Sequence, residues 1–313
     1  MVRSESFNFG FPVDVSMAKS EKVCVIMPAY NEAGAIGEVL DRLMPMAKES
    51  GWDVIVVDDG SDDGTGKIAE QRGARVITHA VNRGYGASLS TGVRATDAEV
   101  VVFIDSDGQQ DEKDIPRLLE HVGQYDMVAG ARTKGSHIDF HRRPGKRILR
   151  WFGDYLAKEK IPDINSGFRA FKREVLVRYL HLMPKGFSFS TTSTFAMLKG
   201  DHQIKWIPIE TRKRVGTSTV KQLKHGPETM MLMLRLTVLF DPLRVFLPVS
   251  GILMLLAIVA TAVNVIQDLV KGVYRFAVPA TALFLGISAV IVFMLGLLTD
   301  QVSAMRREQH ERF

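Results

Sequence analysis

Apolar and polar positions follow two regimes along the chain. Through the first two thirds, short Val- and Ile-rich runs alternate with segments of helical period. The runs predict strands over 23–27, 54–57, 75–78, 100–104 and 127–130, and the segments between them predict helices over 32–48, 64–72, 84–95 and 114–122. Strands this uniformly apolar are buried on both faces, which implies an α/β domain with a mainly parallel sheet.

The last third changes period. Residues 245–266 and 277–298 are predominantly apolar, and each is about the length that spans a bilayer. The first would extend about 33 Å as a helix, with Asn264 its only strongly polar side chain. Two buried core helices of a soluble domain are the competing reading, and length argues against it. Asp241 and Pro242 predict an N-cap followed by the first helical residue. The connector over 267–276 is too short for a domain, so the pair reads as a hairpin. Arg235, Arg244, Arg306, Arg307 and Arg312 flank its outer ends and put both termini on the cytoplasmic side, against the weaker pull of Lys271 and Arg275. Residues 229–240 are apolar but too short to cross; they are expected to lie in the interface as an amphipathic helix rather than pack as ordinary core.

This divides the chain into an N-terminal tail (1–20), a catalytic domain (21–219), a juxtamembrane segment (220–241), a two-helix transmembrane hairpin (242–300) and a cytoplasmic tail (301–313). Residues 1–20 lack the basic-then-apolar order of a secretory signal, so the expected location is the inner or plasma membrane, multi-pass, with the catalytic domain cytoplasmic. The mean hydropathy of +0.04 averages a charged front and an apolar tail. A net charge of +5 is small for a nucleic-acid binder. The basic residues gather over 132–150 and 212–224, as suits anionic head groups or phosphates. The single cysteine, Cys24, excludes an internal disulfide and a thiolate metal cluster.

Polar motifs fall where the predicted strands end: Pro28-Ala29-Tyr30-Asn31-Glu32 after the first, Asp58-Asp59-Gly60-Ser61-Asp62-Asp63-Gly64-Thr65 after the second, and Asp105-Ser106-Asp107-Gly108-Gln109 after the fourth. Each alone is an ordinary turn composition. At successive strand ends they predict one acidic crevice, where open α/β sheets bind ligands. Asp105 and Asp107 can aim two carboxylates into one pocket, where like charges repel unless a cation intervenes. Oxygen ligands suit Mg2+ or Mn2+ on a diphosphate, with Gln109 able to add a carbonyl oxygen. A dinucleotide site finds weak support, because Gly84-Tyr85-Gly86-Ala87-Ser88-Leu89 ends on Leu and follows the third strand. No GxxxxGK[ST] phosphate loop is present.

These motifs, with Asn82-Arg83-Gly84, Asp163-Ile164-Asn165-Ser166-Gly167-Phe168-Arg169 and Arg212-Lys213-Arg214-Val215-Gly216, resemble the family-2 glycosyltransferases of GT-A fold. The two-helix tail makes the chain most similar to their polyprenyl-phosphate branch, which includes dolichol-phosphate mannose synthase and bacterial undecaprenyl-phosphate glucosyltransferases. The resemblance covers about residues 20–300. It implies that Pro28, Tyr30, Glu32 and Asp59 line a nucleotide-sugar donor, assisted by Asp58, with Asn82, Arg83 and Ser106 in the same site. Asp105, Asp107 and Gln109 would hold the metal. Arg132 would face the acceptor phosphate with Arg147 as a second member, for which Arg142, Arg143, Lys146 and Arg150 compete. Asp163 and Ser166 would lie beside the acceptor, and Arg214 would close over the phosphates.

The expected activity is inverting transfer of one sugar from a UDP- or GDP-linked donor to a polyprenyl phosphate, with membrane lipids as partners and homo-oligomer formation left open. A phosphate acceptor is already ionised near neutral pH, so no catalytic histidine is required. His79, His121 and His202 are expected to be structural or solvated. Asp163 is a candidate to orient the acceptor or to act as base. Where processive synthases of this family carry Gln-x-x-Arg-Trp, this chain has Arg147-Ile148-Leu149-Arg150-Trp151, which disfavours polymer synthesis. The alternatives are transfer to another lipid such as diacylglycerol and an inactive sugar-nucleotide-binding membrane protein.

Overall fold

The computed structural model describes residues 22–133, 154–156, 160–186, 188–212, 225–272 and 277–311. Its chain forms two compact units that interleave in sequence. One takes residues up to 136 together with 166–180 and 204–216; the other takes 137–165, 181–203 and 217–313.

The first unit is built on a seven-stranded sheet of order β3-β2-β1-β4-β6-β5-β7. Its strands are β1 (Val23–Ala29), β2 (Asp53–Asp58), β3 (Arg75–Thr78), β4 (Val100–Phe103), β5 (Met127–Arg132), β6 (Arg169–Lys172) and β7 (Ile204–Ile209). The helices are α1 (Ile36–Ser50), α2 (Thr65–Gln71), α3 (Tyr85–Arg94), α4 (Ile115–Val122) and α5 (Arg173–Tyr179). All five predicted strands form, and β1 pairs in parallel with both β2 and β4. The order reverses between those two pairings, which opens a crevice beyond the carboxyl ends of β1 and β4.

Strands β6 and β7 were not among those predicted. The segment β6 holds only four residues and two of them are cationic, so it lacks the apolar run that marks a buried strand. It runs antiparallel to both β4 and β5, which makes β5 parallel to β4 and brings Arg132, the last residue of β5, to the crevice end of the sheet. Phe171 of β6 packs against Phe103 of β4, ring centroids 5.3 Å apart. Such an aromatic pair contributes about 0.5–1.5 kcal/mol beyond its buried area. Arg169 is almost fully buried, its Nε donating to the Ser166 carbonyl at 2.6 Å.

The core joins Val25 and Met27 of β1, Val54 and Val56 of β2, and Val100 and Val102 of β4 to Ile36, Val39, Leu40 and Leu43 of α1. Helix α1 starts four residues later than predicted because Glu32 to Ala35 form a turn closed by the Ala35 N–H on the Glu32 carbonyl. Cys24 is buried, and burial pushes its thiol up to about 11.

The second unit carries α6 (Phe189–Lys199), α7 (His225–Phe240), α8 (Leu243–Val270) and α9 (Ala280–Glu311). Helices α8 and α9 pack along each other and are long and apolar enough to cross a membrane. Gly296 permits that approach, since a Cβ there would lie 2.7 Å from Phe246 Cβ. Helix α7 packs on α6 and α8, burying Met233, Leu236 and Thr237 while Met230 and Met231 stay exposed. The expected cap at Asp241 is not made: the helix begins at Leu243 after Pro242, and the Asp241 carboxylate instead meets Lys199 Nζ at 3.2 Å.

Candidate active site

Three loops at the carboxyl ends of β1, β2 and β4 are bound into one rim by their own polar atoms. The Asn31 N–H donates to Ser61 Oγ at 3.0 Å and the Asp62 N–H to Asn31 Oδ1 at 3.1 Å. The Glu32 N–H donates to Thr65 Oγ1 and the Ala33 N–H to Asp63 Oδ2. Ser106 Oγ donates to the Pro28 carbonyl at 2.9 Å, tying the β4 loop to β1. Turn-forming residues thus serve twice, as local punctuation and as clasps between strand ends. Tyr30 stands on this rim with two fifths of its surface exposed.

Behind the rim, Asp58 and Asp59 are both buried. Asp58 Oδ1 accepts the Ser61 N–H. Asp59 Oδ1 lies 2.6 Å from His79 Nδ1 and accepts the Arg83 N–H at 2.9 Å; its Oδ2 accepts the Gly84 N–H at 2.7 Å. Nδ1 of His79 therefore carries the proton, and Nε2 meets Thr91 Oγ1 at 3.0 Å. His79 is buried, held between Asp59 and Thr91. Gly84 has φ of 100°, a conformation that favours glycine and lets two successive N–H groups face one carboxylate. In this structure Asp59 braces the Asn82-Arg83-Gly84 turn, whose first two side chains are exposed.

Asp105 is held on three sides. Tyr85 Oη, from the start of α3, donates to Oδ1 at 2.9 Å; Gln110 Nε2 donates to Oδ2 at 2.6 Å; and the Asp105 N–H donates to Gln110 Oε1 at 2.7 Å. Burial and then the charge of Asp107 raise its carboxyl to about 6, opposed by the Tyr85 and Gln110 hydrogen bonds and by Arg132. Tyr85 is pushed well above the ordinary tyrosine range by burial and by Asp105, which keeps it a donor. Asp107 is buried, and its Oδ1 accepts the Gln109 N–H at 3.0 Å. Gly167 completes the enclosure, because a Cβ there would fall 2.7 Å from Tyr85 Oη and 2.9 Å from Asp105 Oδ2.

The pattern at Asp-x-Asp-x-Gln drew attention to Gln109, whereas Gln110 is the side chain that grips Asp105. Nothing in the sequence separates two adjacent glutamines. Gln109 instead contributes its carbonyl to the Arg212 N–H at 2.7 Å. Glu112, buried to 1 % exposure, joins Arg42 Nη2 at 3.0 Å and Arg212 Nη1 at 3.6 Å, so the loop after β4 is anchored to α1 and to the end of β7.

Arg132 is exposed at the end of β5, and its charge acts on Asp105. Ser166 is buried beside Gly167. Asp163 lies in the second unit, its Oδ1 accepting the Asn165 N–H at 3.3 Å. Arg147 and Arg214 lie outside the described residues, as do Arg142, Arg143, Lys146 and Arg150. Among the described residues no group of three or more His, Cys, Asp or Glu side chains gathers as a metal cage. Half-buried Asp105 beside buried Asp107 suits Mg2+ or Mn2+, which commonly take one or two carboxylates and fill the shell with water and substrate oxygens.

A mainly parallel sheet with one antiparallel insertion and an acidic loop at its switch point defines the GT-A class of glycosyltransferase. Residues 24–180 match the model of glycosyl transferase family 2, and the chain belongs to that family. Residues 241–305 match the GtrB C-terminal hairpin. The chain is 33% identical over 212 residues to the dolichyl-phosphate hexose transferase of Haloferax volcanii, covering 66% of this chain and 90% of that one. It is 30% identical over 202 residues to the undecaprenyl-phosphate mannosyltransferase of Micrococcus luteus, covering 60% and 82%. The fold is shared with glucosyl-3-phosphoglycerate synthase from Mycobacterium tuberculosis, solved in complex with Mn2+, uridine-diphosphate and phosphoglyceric acid (TM-score 0.60, 23% identity, covering 71% and 81%).

Proposed function

We propose that the chain moves a single sugar from a nucleotide-diphosphate sugar to a polyprenyl phosphate, inverting the anomeric carbon. An oxygen of the lipid phosphate attacks that carbon as its bond to the diphosphate breaks, and the nucleoside diphosphate leaves. The observation that carries the reading is the pair formed by half-buried Asp105 and buried Asp107 at the switch point of the sheet.

The charge of Asp107 acts on Asp105, and two such carboxylates favour a cation between them and an anionic ligand. Asp105 and Asp107, with Gln109, would hold Mg2+ or Mn2+, which when bound neutralises charge on the departing diphosphate. Pro28, Tyr30, Glu32, Asp58, Asn82, Arg83 and Ser106 would form the donor side, with Asp59 acting through the turn that it braces. Arg132 is suited to a phosphate, since a guanidinium fork accepts its oxygens bidentately. Arg147, Asp163, Ser166 and Arg214 complete the proposed acceptor set. Two long apolar helices and relatives named for lipid-phosphate acceptors support a lipid-borne acceptor and a multi-pass membrane protein with its catalytic unit in the cytoplasm.

Incubating the full chain with radiolabelled nucleotide sugars, polyprenyl phosphate or diacylglycerol, and Mn2+ or EDTA tests this directly. Label entering the organic phase only with polyprenyl phosphate and metal is expected. Label on diacylglycerol alone would overturn the acceptor, and transfer undiminished by EDTA would overturn the metal.

A further inference from the structure

Among the described residues one buried side-chain nitrogen has no hydrogen-bond partner, and it is Nε of Arg244. A guanidinium cannot shed its proton in a protein, so burial leaves it needing an acceptor. Arg244 sits in the first turn of α8, where the sequence passes from polar to apolar. Its Cζ lies 4.7 Å from the centroid of the Tyr155 ring, and Tyr155 Oη donates to the Arg244 carbonyl at 3.2 Å. The cation–π contact holds the guanidinium over the ring, and the hydrogen bond from the ring's own hydroxyl holds the ring in place.

The nearby acid does not serve as counter-charge. Asp241 is three residues away, yet its carboxylate is engaged by Lys199 Nζ at 3.2 Å, and Lys199 is itself 7% exposed. Among the described residues no carboxylate forms an ion pair with Arg244. The arrangement is therefore a pre-oriented cationic fork at the head of an apolar helix, lacking an oxyanion.

We propose that Arg244, stacked on Tyr155, binds the phosphate of a membrane lipid. A phosphate ester offers the paired oxygens that a guanidinium takes bidentately, and at the boundary between water and hydrocarbon it is the anion in greatest supply. The proposal rests on the reading that α8 and α9 lie in a bilayer. Two lipids share the chemistry: an anionic phospholipid head group and the acceptor phosphate.

The test uses the full chain in detergent, incubated with phosphatidylglycerol, phosphatidylcholine or polyprenyl phosphate, with retained lipid counted by native mass spectrometry. Wild type is expected to retain phosphatidylglycerol or polyprenyl phosphate over phosphatidylcholine. Arg244→Gln should lower that retention about tenfold or more, the loss of one charge-assisted contact. Arg244→Lys keeps the charge without the fork and should fall between; it and Tyr155→Leu carry the test if Arg244→Gln does not fold. Loss confined to phosphatidylglycerol, with an unchanged KM for polyprenyl phosphate, assigns a head-group site. Loss of polyprenyl phosphate together with a raised KM assigns the acceptor. Retention of both anionic lipids at wild-type level in all three variants overturns the proposal. Retention is read without sugar transfer, so failure of the proposed reaction leaves the lipid-phosphate site standing, and only the choice between its two lipids draws on KM.

Discussion

Gln110 holds Asp105 twice, accepting its main-chain N–H at 2.7 Å and donating to its carboxylate at 2.6 Å. A side chain that bonds both the backbone and the carboxylate of one residue fixes where that carboxylate points. Gln110→Glu would set a second negative charge against it. Activity should fall at least about tenfold, most of it as a raised metal requirement, the scale set by one lost charge-assisted hydrogen bond. Metal titration of initial rates checks this; an unchanged half-saturation would remove Gln110 from the positioning of Asp105.

Asp105→Asn and Asp107→Asn should each abolish transfer while circular dichroism remains that of wild type. Their side chains keep the shape of the carboxylate and lose its charge. Added Mn2+ should not restore either variant.

Gly167→Ala tests the enclosure around Asp105. The added carbon would fall within 3 Å of both Tyr85 Oη and Asp105 Oδ2, so one must move. Displacements of this kind cost catalysis far more than stability. A fall of about a hundredfold in kcat/KM is expected, and the double variant with Tyr85→Phe, which removes the nearer clashing atom, should recover part of it.

Acid should act through Asp105. Its folded-state value of about 6 lies above the ordinary 3.8, so the native state holds the proton more tightly than the unfolded chain. In metal-free protein this contribution to stability is complete below about pH 4 and is lost as pH rises towards about 6. Cation binding needs the ionised carboxylate, so metal affinity should weaken as pH drops below about 6. Thermal unfolding of metal-free wild type and Asp105→Asn across that range should differ in slope; parallel curves would contradict the assignment.

Arg42→Ala leaves the buried Glu112 carboxylate with Arg212 alone, 3.6 Å away. Because Arg42 is itself more than a third exposed, the expected loss is about 1–3 kcal/mol rather than that of a fully enclosed pair. Urea unfolding in detergent measures it.

The parallel half of the sheet was legible because Val and Ile runs at β1, β2 and β4 carry their burial in their composition. The rim was legible for a related reason, since Asp, Asn and Gly cluster where strands stop. Strand β6 was not, because its stability comes from partners on both sides and from Phe171 against Phe103, none of which is local. Whether His79 is structural or solvated was open in the sequence, because only the fold brings Asp59, twenty positions away, against its ring. The Asp241 cap failed for the same reason: Lys199, forty-two residues distant, claims a carboxylate that local rules assign to the helix start.

The reversed direction of β6 has a consequence for how such a chain can diverge. The connection from β5 leaves the sheet at the crevice end, beside Arg132, and β6 re-enters at the same end through Ser166 and Gly167. An excursion that departs and returns on one side can lengthen, shorten or change character without rethreading any strand. On the proposed reading, which sets Arg132 and Ser166 on the acceptor side, descendants of this architecture could therefore trade one acceptor for another while the donor half stayed as it was.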